Sequence, residues 1–134
     1  MPHVKGTFEV KLTPLALDEK SADSLLSRLL IDKKFHGALD ATSKGEMLAA
    51  GTTVKGSAGY VAIEKVTGTL AGRTGSLVFQ HTGTMNRGEP QLSVTIVPDS
   101  GTDQWTGITG KMNIKIEKKQ HFYELEYTLP EISK

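Results

Sequence analysis

The chain contains no cysteine. Disulfides, thiolate nucleophiles and cysteine-ligated zinc are therefore excluded. Aromatic residues are scarce, with one Trp, three Tyr and four Phe among 134 residues. That is too few for the stacking platforms of RNA-binding modules. Neither sign of charge is in surplus, with 16 basic against 15 acidic residues. Without a basic field or a Lys/Arg run, neither nucleic acid nor a membrane surface is an expected partner. No segment approaches the roughly 18 consecutive apolar residues of a membrane-crossing helix. The start, "MPHVKGTFEV", has no charged stretch followed by an apolar run, so no secretory signal is expected. A soluble, cytoplasmic chain of one domain, residues 1–134, is the expectation. Sustained helical periodicity is also missing. "SADSLLSRLL" offers Ser21 or Ser24 as a cap, which allows one helical turn at most within Asp18–Leu30.

What the sequence does have is fourteen glycines and many threonines, punctuating runs of period-two alternation. The pattern predicts eight strands, near Val4–Thr13, Arg28–His36, Leu39–Thr52, Ser57–Leu70, Gly75–Met85, Gln91–Val97, Thr106–Glu117 and Gln120–Leu129. Long strands joined by short turns suggest an up-and-down antiparallel sheet. Closing eight of them into a barrel removes the exposed edges. An open two-sheet sandwich is the competing all-β arrangement.

Turn length fixes which residues face each other. A two-residue turn at Lys118–Lys119 pairs Ile116 with His121, Ile114 with Tyr123, Met112 with Leu125 and Gly110 with Tyr127 on one face. The other face then holds Lys111 with Glu126 and Asn113 with Glu124, and puts Phe122 outside opposite Lys115. A turn at Val54–Lys55 directs Ser43, Gly45, Met47 and Ala49 inward. A turn at Arg87–Gly88 does the same for Leu92, Val94 and Ile96. Phe8, Val10 and Leu12 are the inward set of the first strand. Leu29, Ile31 and Phe35 are the apolar set of the second, which requires a bulge in "HGAL", with Gly37 suited to it. A four-residue loop, Ala71–Thr74, would pair Val66 with Phe79, Glu64 with His81, Ala62 with Gly83 and Tyr60 with Met85. Gln80 then faces solvent and His81 faces inward, directly opposite Glu64.

Three stretches carry a resemblance: "GTFEVKLTP", the long block from "FHGALDATSKGEM" through "SLVFQHTGTMNRGEPQLSVTIVPDSGT", and "WTGITGKMNIKIEKKQHFYELEYTL". Together they cover nearly the whole chain and match least well over Leu15–Leu26. The chain resembles the bacterial domain-of-unknown-function family 3224. That resemblance implies an eight-stranded antiparallel barrel similar to allene oxide cyclase, within the wider calycin-like group. Dirigent proteins and spirotetronate cyclases share the architecture. Those relatives hold apolar substrates inside the barrel and steer a cyclisation or coupling without a redox cofactor. The family has no established activity, so no catalytic residue carries over to this sequence.

The first candidate site is Glu64 with His81, near Tyr60 and Ser43 and among Met47, Val66, Phe79 and Val94. Desolvation raises a glutamate pKa and a facing imidazolium lowers it. Such a pair can act as general acid and base, orient a bound molecule, or be a buried polar pair that satisfies itself in a filled barrel. Tyr123 and Tyr127 form a second candidate, as ligand anchors or as core aromatics whose hydroxyls reach backbone or water. His3, His36, His81 and His121 are dispersed without HxH or HxxxH spacing, so no metal is expected. No GxSxG occurs, and "GTLAGRTG" reads as a hairpin turn rather than a phosphate loop. No cofactor is expected. Trp105 either closes a barrel mouth or is a partly exposed loop aromatic. Outward Leu48, Val61, Ile63, Val78 and Val97 suggest a homo-oligomer surface, against scattered exposed aliphatics. Two function classes follow: a binder of a small apolar molecule, with or without non-redox isomerase or cyclase chemistry, and a non-catalytic structural protein with a filled barrel.

Overall fold

The computed structural model describes residues 2–15 and 25–130. Eight strands follow one another in chain order: β1 (His3–Leu15), β2 (Leu26–Gly37), β3 (Leu39–Gly51), β4 (Ala58–Leu70), β5 (Arg73–Asn86), β6 (Glu89–Ile96), β7 (Thr109–Glu117) and β8 (Gln120–Thr128). Each pairs antiparallel with the next, and β1 pairs with β8, so the sheet is a closed barrel. Closure removes the open edges that a sandwich would keep. The expected turn of helix at Asp18–Leu30 lies partly outside the described residues, and Leu26–Leu30 is strand. Among the described residues no helix is long and apolar enough to cross a membrane.

Three hairpins follow the turn-counting register residue for residue. Gly51 pairs with Ala58 across β3 and β4, Asn86 with Glu89 across β5 and β6, and Glu117 with Gln120 across β7 and β8. At the β2–β3 junction only Ala38 separates the strands, and Gly37 absorbs the odd count at φ 113°.

The β4–β5 hairpin departs from expectation. Its turn is Ala71–Gly72 rather than Ala71–Thr74, with Leu70 paired to Arg73. Both turn residues have positive φ, 48° for Ala71 and 86° for Gly72. That is the backbone of a type I′ turn, whose twist matches the strands it joins. Alanine in the first position hides the turn from a sequence reading, because Asn, Asp or Gly is usual there. The direct partners therefore change: Glu64 lies opposite Phe79, and His81 lies opposite Ala62. The strand slides by two residues, an even number, so every side chain keeps its face.

One end of the barrel is filled. Phe35, Leu39, Val66, Leu70, Leu77, Phe79, Ile96, Ile108 and Leu125 pack there, each nearly or completely buried. A 3₁₀ turn over Asp103–Trp105 delivers Trp105 into this cluster, fully buried, with its indole Nε1 donating to the carbonyl of Arg73 at 2.9 Å. Trp105 thus closes a barrel end, and the exposed-loop alternative falls. Residues of this loop also lie along β5: Thr102 Oγ1 and Ser76 Oγ are 2.7 Å apart. The seventh expected strand accordingly starts at Thr109 rather than Thr106.

Candidate functional site

The opposite half of the barrel is hollow. A cavity of about 590 Å³ opens toward the hairpins at residues 52–57, 87–88 and 118–119. Its wall is chiefly aliphatic and aromatic, with Phe8, Val10, Ile31, Met47, Ala62 and Ile114 among its residues. These come from alternate positions on several strands, which is what a period-two pattern produces on the inside of a barrel. Strands β6 and β7 pair only at Val94–Met112 and Thr95–Lys111. Leu92 and Ile116, beyond the reach of the β6–β7 pairing, line the cavity and are exposed. At the rim two hairpins are tied together, with Gly88 N donating to Gly56 O at 3.0 Å and Arg87 N to Ser57 Oγ at 3.0 Å.

Where cavity and filled half meet lies a network around Glu64. Its carboxylate is completely buried. Oε1 accepts from Ser43 Oγ at 2.7 Å, and Oε2 accepts from Lys33 Nζ at 2.7 Å. His81 Nε2 stands 2.5 Å from Oε2, and the other ring nitrogen, Nδ1, is 3.5 Å from the hydroxyl of Tyr60. When the ring is neutral and Nε2 donates to Glu64, Nδ1 accepts from the Tyr60 hydroxyl. Among the described residues no buried side-chain polar atom lacks a partner. Burial pushes the Glu64 pKa upward, but the His81 hydrogen bond and the Lys33 charge outweigh it. The pKa settles at about 2, below the ordinary 4.5. Burial raises the Tyr60 hydroxyl pKa, and the Glu64 charge adds to the effect.

Lys33 is the residue that the sequence reading missed. It alternates with Ile31 and Phe35, the inward set of β2, and that parity was the available signal. A buried lysine needs a counter-charge, and here it comes from two strands away. Gly45, on β3 between them, pairs with both Ile31 and Glu64. A Cβ on Gly45 would stand 2.6 Å from Glu64 Cα, so glycine is what lets the β3 and β4 backbones lie this close. The ammonium also lies 4.9 Å from the Phe8 ring centroid and 5.7 Å from that of Phe35. Both are cation–π distances.

The other candidates divide between the two halves. Met47, Tyr60 and His81 line the cavity. Glu64 and Ser43 sit behind it, screened by Lys33 and His81. Phe79, Tyr123 and Tyr127 belong to the buried cluster of the filled half. The Tyr123 hydroxyl bridges backbone, accepting from Leu39 N at 3.1 Å and donating to His36 O at 3.0 Å. His121, expected inward but given no role, also lines the cavity, its ring centroid 5.0 Å from that of Phe8. On the outer surface His3, Glu124 and Glu126 approach closely enough to hold a cation. Lys5 and Lys111 already lie 3.4 Å and 3.7 Å from those carboxylates, which explains the cluster as ion pairs.

The family of proteins of unknown function DUF3224 matches the chain over residues 4–127. The chain is similar to a crystal structure of a protein of unknown function from that family, from Shewanella oneidensis MR-1. Identity is 49%, with 98% of this chain and 99% of that chain covered and a TM-score of 0.93. No curated protein matches.

Proposed function

The chain belongs to the DUF3224 family, and for this member we propose that the open half of the barrel binds a small, mainly apolar molecule. The observation that carries this reading is the 590 Å³ cavity, apolar along its wall and polar at Lys33, His81 and Tyr60. A water occupies about 30 Å³ of liquid, so the space far exceeds a packing defect. Pockets for small molecules share this composition, with apolar walls and a few placed polar groups. A filled barrel with no ligand is the competing reading, and it describes the Trp105 half only.

The test is titration of the purified protein with N-phenylnaphthylamine, followed by fluorescence and native mass spectrometry. Saturable one-to-one binding is expected, and Ala62→Trp, which fills the cavity, should abolish it. Absence of saturable binding, or binding that Ala62→Trp leaves unchanged, rejects the reading.

Acid–base chemistry without a redox cofactor, of the isomerase or cyclase kind, is a second reading. It is supported by the line from Tyr60 through His81 to Glu64, which can pass a proton between the cavity and a buried carboxylate. Under it, Glu64→Gln and His81→Ala abolish turnover while only weakening binding. Small, equal effects on both quantities would reject it.

The outer face of β3 and β4 supports self-association. Leu48, Val61 and Ile63 are about half exposed there, and Leu48 pairs directly with Val61. Val78 and Val97 contribute less, being partly covered. Sedimentation of the native chain beside Leu48→Lys/Val61→Glu decides it: a native oligomer that the substitutions dissociate supports the surface, and a native monomer rejects it.

A further inference from the structure

The network around Glu64 is asymmetric in what it offers the cavity. Both carboxylate oxygens are occupied, one by Ser43 and the other by Lys33 and His81. An ammonium carries three N–H donors. Among the described residues Lys33 makes one side-chain hydrogen bond, to Glu64, and its Nζ is flanked by the rings of Phe8 and Phe35. Ring faces attract the cation but are weaker partners than an oxygen acceptor for a charged donor. Lys33 also lines the cavity. The inner end of a mainly apolar chamber therefore presents donor capacity without a free anionic acceptor.

From this we infer that the cavity selects apolar molecules carrying a neutral carbonyl group, inserted oxygen-first so that the oxygen accepts a hydrogen bond from Lys33. The inference rests on the ligand-binding reading above and adds the chemical class. A carboxylate head is the poorer match. Lys33 is already neutralised by Glu64 at 2.7 Å, and a second carboxylate on the same ammonium would bring two like charges together in a dry site. An alkane is poorer for the opposite reason: it leaves the buried ammonium with ring faces in place of an oxygen. Lys33 is here a specificity-determining group, acting on the ligand through its hydrogen-bond donors while its ion pair with Glu64 at 2.7 Å holds the side chain in place.

The experiment compares three probes of matched size: hexylbenzene, hexanophenone and the sodium salt of phenylhexanoic acid. Each competes with N-phenylnaphthylamine for the native protein, Lys33→Met and Lys33→Arg, all checked for native circular dichroism. Hexanophenone is expected to bind the native protein on the order of tenfold tighter than either other probe, the value of one hydrogen bond to a charged group. Lys33→Met should erase the preference for the ketone over hexylbenzene while hexylbenzene still binds, and Lys33→Arg should restore part of it. Should Lys33→Met fail to fold, the native ranking and Lys33→Arg decide alone. Equal affinity for the ketone and hexylbenzene, or tightest binding of the carboxylate, overturns the inference and leaves the cavity reading standing. No binding of any probe overturns both.

Discussion

His81 Nε2 and Glu64 Oε2 lie 2.5 Å apart, although the two residues are diagonal rather than opposed in the β4–β5 ladder. Diagonal neighbours on one face are within reach of long side chains. Glutamate and histidine are long enough to meet where shorter residues would not. The contact also spans the boundary of the barrel's two regimes, with Phe79 opposite Glu64 on the filled side and Ala62 opposite His81 on the hollow side.

Acid should weaken the fold through Glu64. Its folded pKa, about 2, lies below the ordinary value of 4.5. A depressed carboxylate pKa stabilises the native state above the unfolded value, and that contribution disappears as pH falls through the folded one. The stability from Glu64 is thus complete above pH 4.5 and is lost progressively between 4.5 and about 2. Urea midpoints measured across this window should fall more steeply for the native protein than for Glu64→Gln. Identical slopes would show that Glu64 is not held ionised by its partners.

Removing Glu64 alone should cost more than removing both members of its ion pair with Lys33. Glu64→Leu strands the Lys33 ammonium, at a cost of about 3–5 kcal/mol. Lys33→Met is milder, because Ser43 and His81 still donate to Glu64. The double substitution should recover part of the Glu64→Leu loss, with a coupling of about 1–3 kcal/mol in a double-mutant cycle. Additive losses from chemical denaturation would mean that the two charges do not depend on each other.

Trp105 should matter for stability and not for the cavity. It is fully buried and plugs the filled end. Trp105→Ala should cost about 3–5 kcal/mol, in the range for large-to-small changes in cores. Binding of N-phenylnaphthylamine at the other end should change by less than about twofold, since Trp105 is not among the cavity-lining residues and distant sites act independently. A parallel loss of probe affinity in the folded variant would contradict the division into two halves.

The turn at Lys118–Lys119 stores removable strain. Both lysines have positive φ, 49° and 67°, a conformation that side chains with a Cβ adopt at a cost. Lys118→Asn/Lys119→Gly supplies the residues that a type I′ turn favours. A gain of about 1 kcal/mol follows, seen as a rise of a few degrees in Tm. An unchanged or lower Tm would place the strain elsewhere.

Much of this was written in the alternation of the strands. Three of the four hairpin registers tested by turn counting came out residue for residue, two through the expected two-residue turns and β3–β4 through a six-residue connection, 52–57, that keeps the same pairing and so the same apolar face. The fourth failed at Ala71, where nothing about alanine announces a left-handed backbone. Even there, an even-numbered slip kept Glu64 and His81 facing inward. The tertiary structure alone decided three things. It brought Lys33 to Glu64 from two strands away, with a glycine, Gly45, on the strand between them. It sent Trp105 into one end of the barrel, so that Phe79, Tyr123 and Tyr127 became packing while Met47, Tyr60 and His81 stayed on a cavity wall. And it closed β1 onto β8, turning one inward face into two different environments. Local period assigns a side chain to a face. What that side chain meets depends on residues distant in sequence, and only the closed barrel sets those distances.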